Sequence, residues 1–277
     1  MFLHALFTQP FLQMALWAAL LASVSAGVIG SYVIVRRISF IAGSIAHSIL
    51  GGMGLFLWLQ RTQGLSWCHP MLGAFAAAIG SALLLGWVQL RFKQREDALI
   101  AAIWSAGMAM GVVFIALTPG STAELMNFLF GNILWVTPAD LWGLAALNLL
   151  VLGVVLFYYK KFLALCFDEE QAALQSVAVQ RLYLTLLCLV AISIVLMIQT
   201  IGTILVLALL SLPATIAALF ATRLSRLMLL ACGISAGASV LGLGAAYELD
   251  WPPGATIALV AAGGYIATLL GKRKKIV

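Results

Sequence analysis

His47 stands in the middle of an uncharged run, FIAGSIAHSILGGMGLFLWL (residues 40–59), that is long and apolar enough to lie in lipid. An ionisable side chain at such depth is costly and ordinarily faces a partner or a cavity, so this imidazole is the first candidate for chemistry. Gly43, His47 and Gly51 recur every four residues, flanked by Ser44, Ser48 and Gly54. A helix therefore places small residues and the imidazole on one face, with Ile45, Ile49, Met53 and Phe56 opposite. Two readings of the small face stay open. In one, small residues ease close helix packing and the histidine hydrogen-bonds across the interface. In the other, neutral imidazole is a transient ligand for a passing divalent cation.

Other chemistry-bearing groups are weaker candidates. Trp67-Cys68-His69-Pro70 sets a soft donor beside a borderline one, but adjacent residues do not easily grip one ion, so loop capping competes with metal capture. All nine carboxylates (Glu96, Asp97, Glu124, Asp140, Asp168, Glu169, Glu170, Glu248, Asp250) map to helix ends or loops. A proton- or sodium-coupled carrier ordinarily needs a carboxylate or broken helices at the midplane, so that class loses ground. Glu124, Glu248 and Asp250 fall in outer loops, either as solvated carboxylates or as an attraction for cations. Ser44 and Ser48 flank His47, yet the glycine stripe explains them more simply than a nucleophile with its base does. The sequence contains no Walker-type loop and no HExxH, and so no visible means of hydrolysing ATP or of zinc-dependent peptide hydrolysis.

The elements that position these groups follow from composition. With 64% hydrophobic and 9% charged residues among 277, the chain is solvated by lipid rather than water. Apolar segments fall at about 11–35, 40–59, 71–90, 98–117, 141–159, 182–198, 203–221, 227–246 and 255–270, which predicts an all-α integral membrane protein of about nine crossings in one domain, 1–277. Alternation from an outside N-terminus puts every one of the 15 basic residues except Arg61 on the cytoplasmic side, the C-terminus included. The net charge of +6 thus reflects membrane orientation and not nucleic-acid binding. No removable signal peptide is expected at the start, and Cys68, Cys166, Cys188 and Cys232 are too scattered for a disulfide framework or a metal cluster. Pro119-Gly120, Pro138 and Pro252-Pro253-Gly254 read as helix ends. Two breaks are long enough for structure of their own: an outer one, apolar in its middle, read as a half-helix dipping back into the membrane, and an inner one with the acidic run Asp168-Glu169-Glu170, read as short cytoplasmic helices.

Six blocks, in this order, carry a resemblance: GVIGSYVIVRRISFIAGSIAHSILGG, REDALIAAIWSAGMAMGV, NFLFGNILWVTPADL, FDEEQAALQSVAVQRLYL, LVLALLSLPATIA and YELDWPPGATIAL. Over nearly its whole length the chain resembles the permease subunits of bacterial zinc, manganese and iron(II) ATP-binding-cassette importers, of the ABC-3 type. The resemblance implies a fold similar to that of the vitamin B12 and siderophore (type II) importers. It implies no permanently bound cofactor, a divalent metal as cargo (zinc first, manganese or iron(II) next), and ATP on partner subunits. The partners implied are a second permease copy, two ATPase subunits on the cytoplasmic face and an extracytoplasmic metal-binding protein, all at the bacterial inner membrane. By the same resemblance a coupling helix at about 166–180 meets the ATPase through Asp168, Glu169, Glu170, Ala173, Leu174 and Val177. A re-entrant gate segment at about 122–137 and the path itself would involve Asn127, Gly131, Asn132, Pro213, Ser44, Ser48 and, as metal ligand, His47. Family members carry Asp four residues before the signature histidine, where this chain has Gly43, and Asn132 stands where some relatives have Asp. The alternative is a secondary, ion-coupled transporter of a small solute.

Overall fold

The structure, a computed structural model, describes residues 2–92, 96–119, 128, 131, 133–167 and 178–273. Among these the regular elements are helical: α1 Phe2–Thr8, α2 Pro10–Val35, α3 Ser39–Thr62, α4 Pro70–Phe92, α5 Glu96–Ala116, a 3-10 turn at Ile133–Trp135, α6 Pro138–Phe167, α7 Val179–Ile201, α8 Thr203–Ala218, α9 Leu224–Leu249 and α10 Pro253–Arg273. Each of the nine expected segments coincides with a helix. Eight are long and apolar enough to cross a membrane. The ninth, α8, has 16 residues, a rise of about 24 Å against a hydrocarbon core of about 30 Å. The inner segment falls outside the described residues over 168–177, and of the outer one only Phe128, Gly131 and residues 133–137 are described.

Proline placement is where the structure departs from the sequence reading. Pro138 and Pro253, read as helix ends, each open a helix instead, as Pro10 and Pro70 also do. The first helical position needs no N–H, and proline's fixed φ already suits it. At Pro138 the start is reinforced from both sides. Asp140 Oδ2 accepts from the Thr137 N–H (2.9 Å) and from Thr137 Oγ1 (2.7 Å), while Thr137 Oγ1 accepts from the Asp140 N–H (3.3 Å). That reciprocal cap satisfies donors no helical carbonyl can reach. The helix it opens runs 30 residues to Phe167, passing beyond Lys160 and Lys161, where the sequence reading ends it.

The chain divides into two compact units. One comprises Met1–Arg36, Leu129–Val154 and Leu196–Val277. In it α2 packs on α8 and α9, and α10 on the same two helices. The approach is close because the contact residues are small: a Cβ at Gly27 would lie 2.5 Å from Cys232 N. Buried hydrogen bonds add to the packing. Ser25 Oγ donates to Asn148 Oδ1 (2.5 Å), Asn148 Nδ2 donates to Leu21 O (3.0 Å), and Ser23 and Ser239 share a hydroxyl bond of 3.2 Å.

The other unit comprises Arg37–Phe128 and Val155–Val195, with α3 packed against both α4 and α5. A Cβ at Gly51 would meet Gly107 O at 2.8 Å, and one at Gly54 would meet Gly111 O at 2.9 Å, so any side chain there must force α3 and α5 apart. Ser44 Oγ donates to Ile100 O (3.1 Å) one end further along the same contact. Tyr183 OH donates to Gln89 Oε1, joining the start of α7 to the end of α4.

Asp140→Ala should lower stability by about 1 kcal/mol, read as a fall in detergent unfolding temperature, whereas Glu248→Ala at the exposed end of α9 should change it far less. Gly51→Val overpacks the α3–α5 contact and should cost about 1–3 kcal/mol. Proteolysis of α5 residues in the solubilised chain should accelerate in that variant, and an unchanged digestion rate would contradict the packing described.

Candidate functional site: an intramembrane imidazole under an indole

α3 starts two residues after the tight Arg36–Arg37 connection, in which Arg37 adopts the left-handed conformation (φ 57°). His47 follows two turns into the helix. Its imidazole lies on the indole of Trp104 from α5, with ring centroids 4.4 Å apart and planes inclined by 23°. Both side chains are half-buried. Nδ1 of His47 is buried and has no hydrogen-bond partner, so the ring is held by stacking and not by an acceptor behind it. The expected bond across a helix interface is therefore absent at this nitrogen.

The small face turns out to be the packing face toward α5. Gly51 and Gly54 meet Gly107 and Gly111, and Ser44 spends its hydroxyl on Ile100 O. Ser48 Oγ donates within its own helix, to Ile45 O at 2.8 Å. Both hydroxyls are thus satisfied, Ser44 across to α5 and Ser48 within its own helix, the local bond by which hydroxyls are commonly accommodated in lipid. Ile45 and Ile49 opposite are equally buried, so α3 is enclosed on both faces.

Beside this contact α3, α4 and α5 leave a cleft of about 430 Å³, lined by Gly51, Gly52, Phe56, Gly73, Gly107 and Phe114 among others. Its lining is apolar apart from the Ser48 and Ser81 hydroxyls, and it offers no donor set for a cation.

The other expected residues sort as follows. Gly131 has φ 70°, and a Cβ on it would lie 2.5 Å from Gly202 N. Gly202 itself has φ 80° and caps α8, the helix that contains the buried Pro213. Gly131 and Pro213 belong to the first unit, and Ser44, His47 and Ser48 stand together in the second. Asn127 and Asn132 lie outside the described residues, as do Asp168, Glu169, Glu170, Ala173, Leu174 and Val177. Cys68 is buried and its neighbour His69 exposed, so the two do not converge on one ion. The main-chain carbonyl of His69 instead accepts from Leu72 N (2.9 Å) at the start of α4, which is the loop-capping reading. Glu248 Oε1 accepts from Phe2 N (2.8 Å). Among the described residues no three His, Cys, Asp or Glu side chains gather as a metal site would require. Trp104 was not singled out from sequence. Its only signal is that one large aromatic interrupts a stretch of small residues, AAIWSAGMAMG.

Comparison with known proteins places this geometry in a family. The profile of the ABC 3 transport family matches residues 8–272. A "probable metal transport system membrane protein" of Chlamydia pneumoniae is 50% identical, over 93% of this chain and 87% of that protein. The "manganese transport system membrane protein MntC" of Listeria innocua is 33% identical, over 94% and 90%. Among solved structures, PsaBC from Streptococcus pneumoniae in complex with Fab superposes with a TM-score of 0.84 at 29% identity, covering 96% of this chain and 94% of that one. A putative metal-chelate type ABC transporter in an inward-facing conformation shares the fold, with a TM-score of 0.71 at 17% identity over 97% and 88%. With a family profile spanning almost every residue, and helices that superpose on ABC transporter membrane subunits, this chain belongs to the ABC 3 transport family as a multi-pass membrane permease.

Proposed function

We propose that the chain is the conduit of an ATP-driven importer of a divalent metal ion and that it supplies no hydrolytic chemistry of its own. The observation that carries this reading is the likeness, over nearly the full length, to proteins named as metal-transport membrane subunits. His47 adds to it as an intramembrane group with the donor chemistry to touch a passing cation. In this reading the whole chain, 1–277, acts as one permease domain in the bacterial inner membrane with its C-terminus in the cytoplasm. It pairs with a second copy. Two ATPase subunits press on the 166–180 segment through Asp168, Glu169, Glu170, Ala173, Leu174 and Val177, and a binding protein delivers the ion on the other side. The 122–137 segment, with Asn127, Gly131 and Asn132, gates the outer mouth, and Pro213 lies on the path.

Three metals compete for the role of cargo. The names of the relatives speak for manganese. The donor chemistry of His47 speaks for zinc or iron(II), because imidazole suits borderline cations while manganese is better served by oxygen ligands. The alternative of a secondary carrier has neither an intramembrane carboxylate in the described spans nor a likeness in its favour.

His47→Ala should reduce uptake at limiting metal by an order of magnitude or more in cells carrying the whole transporter; undiminished uptake would reduce His47 to packing. Replacing Asp168, Glu169 and Glu170 together by Lys should abolish metal-stimulated ATPase activity of the purified complex. Normal assembly with full stimulation would remove the coupling role from that segment.

A further inference from the structure

A residue four positions before His47 on the same helix is the nearest place from which a second donor could reach an ion held by the imidazole. That position is Gly43, and its space is taken. A Cβ built there would lie 2.9 Å from Cζ3 and 3.3 Å from Cη2 of Trp104. The same indole carries the imidazole of His47 on its face at 4.4 Å. One ring therefore covers both positions. The α5 backbone is fixed against α3 on either side of it, by Ser44 Oγ on Ile100 O and by the Gly51–Gly107 contact, so room for a side chain at Gly43 has to come from rotation of the indole, which would take it off His47.

The histidine also departs from the usual arrangement of a metal ligand. Such a histidine ordinarily gives its second nitrogen to an acceptor that fixes ring orientation and tautomer. Nδ1 of His47 has no such partner, although it is buried. Orientation comes from the indole instead, and the electron-rich ring face favours the positive charge an imidazole acquires when it binds a cation.

We infer that Trp104 is a positioning residue for His47 and, together with Gly43, the determinant of metal preference: it orients the imidazole and occupies the space a carboxylate would need, so that this helix offers the ion a nitrogen donor alone. A nitrogen-only hold favours zinc and iron(II) over manganese, which prefers oxygen ligands and stands lowest in the affinity order of the divalent first-row metals. The inference rests on His47 lying on the ion's path, and the experiment separates the two.

The complete transporter, with its ATPase subunits and binding protein, is reconstituted in liposomes, and uptake of zinc and of manganese, each supplied as the ion, is measured over a concentration series. Trp104→Ala should raise the half-saturating zinc concentration about tenfold with little change in the maximal rate, and Trp104→Phe, which keeps an aromatic face, should restore most of the loss. Trp104→Leu fills the space without such a face and is measured alongside; it should behave like the alanine variant, and it carries the test should the alanine variant not assemble. Gly43→Asp should be impaired by the indole, whereas Gly43→Asp combined with Trp104→Ala should raise manganese uptake relative to zinc about tenfold. Half-saturation unchanged in Trp104→Leu, or a zinc-to-manganese ratio unchanged in an assembled double variant, overturns the inference while leaving the path intact. Undiminished uptake by His47→Ala overturns the path reading itself, and the inference with it.

Discussion

In lipid the contact between two helices gains nothing from excluding water, because the acyl chains are as apolar as the side chains they replace. What remains is how closely two backbones can approach, and this chain settles it with glycine. Where α3 meets α5, Gly51 faces Gly107 and Gly54 faces Gly111 at separations that leave no space for a methyl group. The distance between those backbones in turn decides what the larger side chains along the seam can do. Trp104 lies on that seam half-buried, in the orientation in which its indole covers Gly43 and supports His47. The imidazole is thus placed beside glycine packing one and two turns away.

Hydroxyl groups complete the picture by what they leave undone. Ser31, Ser193, Ser211 and Thr268 each donate to the carbonyl four residues earlier in their own helix. That bond satisfies the hydroxyl in an apolar surrounding and ties no helix to another. Among the described residues the buried bonds between helices include the Ser25–Asn148–Leu21 relay, the Ser23–Ser239 bond and the Ser44–Ile100 bond. Van der Waals seams with few directional ties can be repacked without breaking many bonds. A protein that alternates between access to two sides of a membrane needs that property.

Hydropathy alone located all nine long apolar segments, since about twenty apolar residues in a row have few other uses. The ends were less legible. Pro138 and Pro253 looked like terminators, and the cap formed by Thr137 and Asp140 made the first of them a start. α1 was not anticipated at all, being seven residues long and separated from α2 by Gln9 alone. The small face of α3 was visible as a face, because periodicity reports which residues share a side. Its partner was not, because no pattern within one helix says which other helix lies across from it. For the same reason the role of Trp104 was hidden. It depends on the register between α3 and α5, and that register is fixed by backbone contacts that leave no mark on the sequence except the glycines.

For a conduit the weakness of the site is itself functional. An ion must leave as readily as it enters, so a path residue has to bind well enough to strip part of the hydration shell and no better. A carboxylate and an imidazole on adjacent turns would add charge attraction to ligation and slow release. With one neutral donor held by an aromatic face, and no cluster of three ligands among the described residues, the proposed path would retain the ion only briefly. Tight capture then has to reside elsewhere in the transporter, and the ATPase would have to drive a change of access rather than pull a strongly bound ion from its ligands.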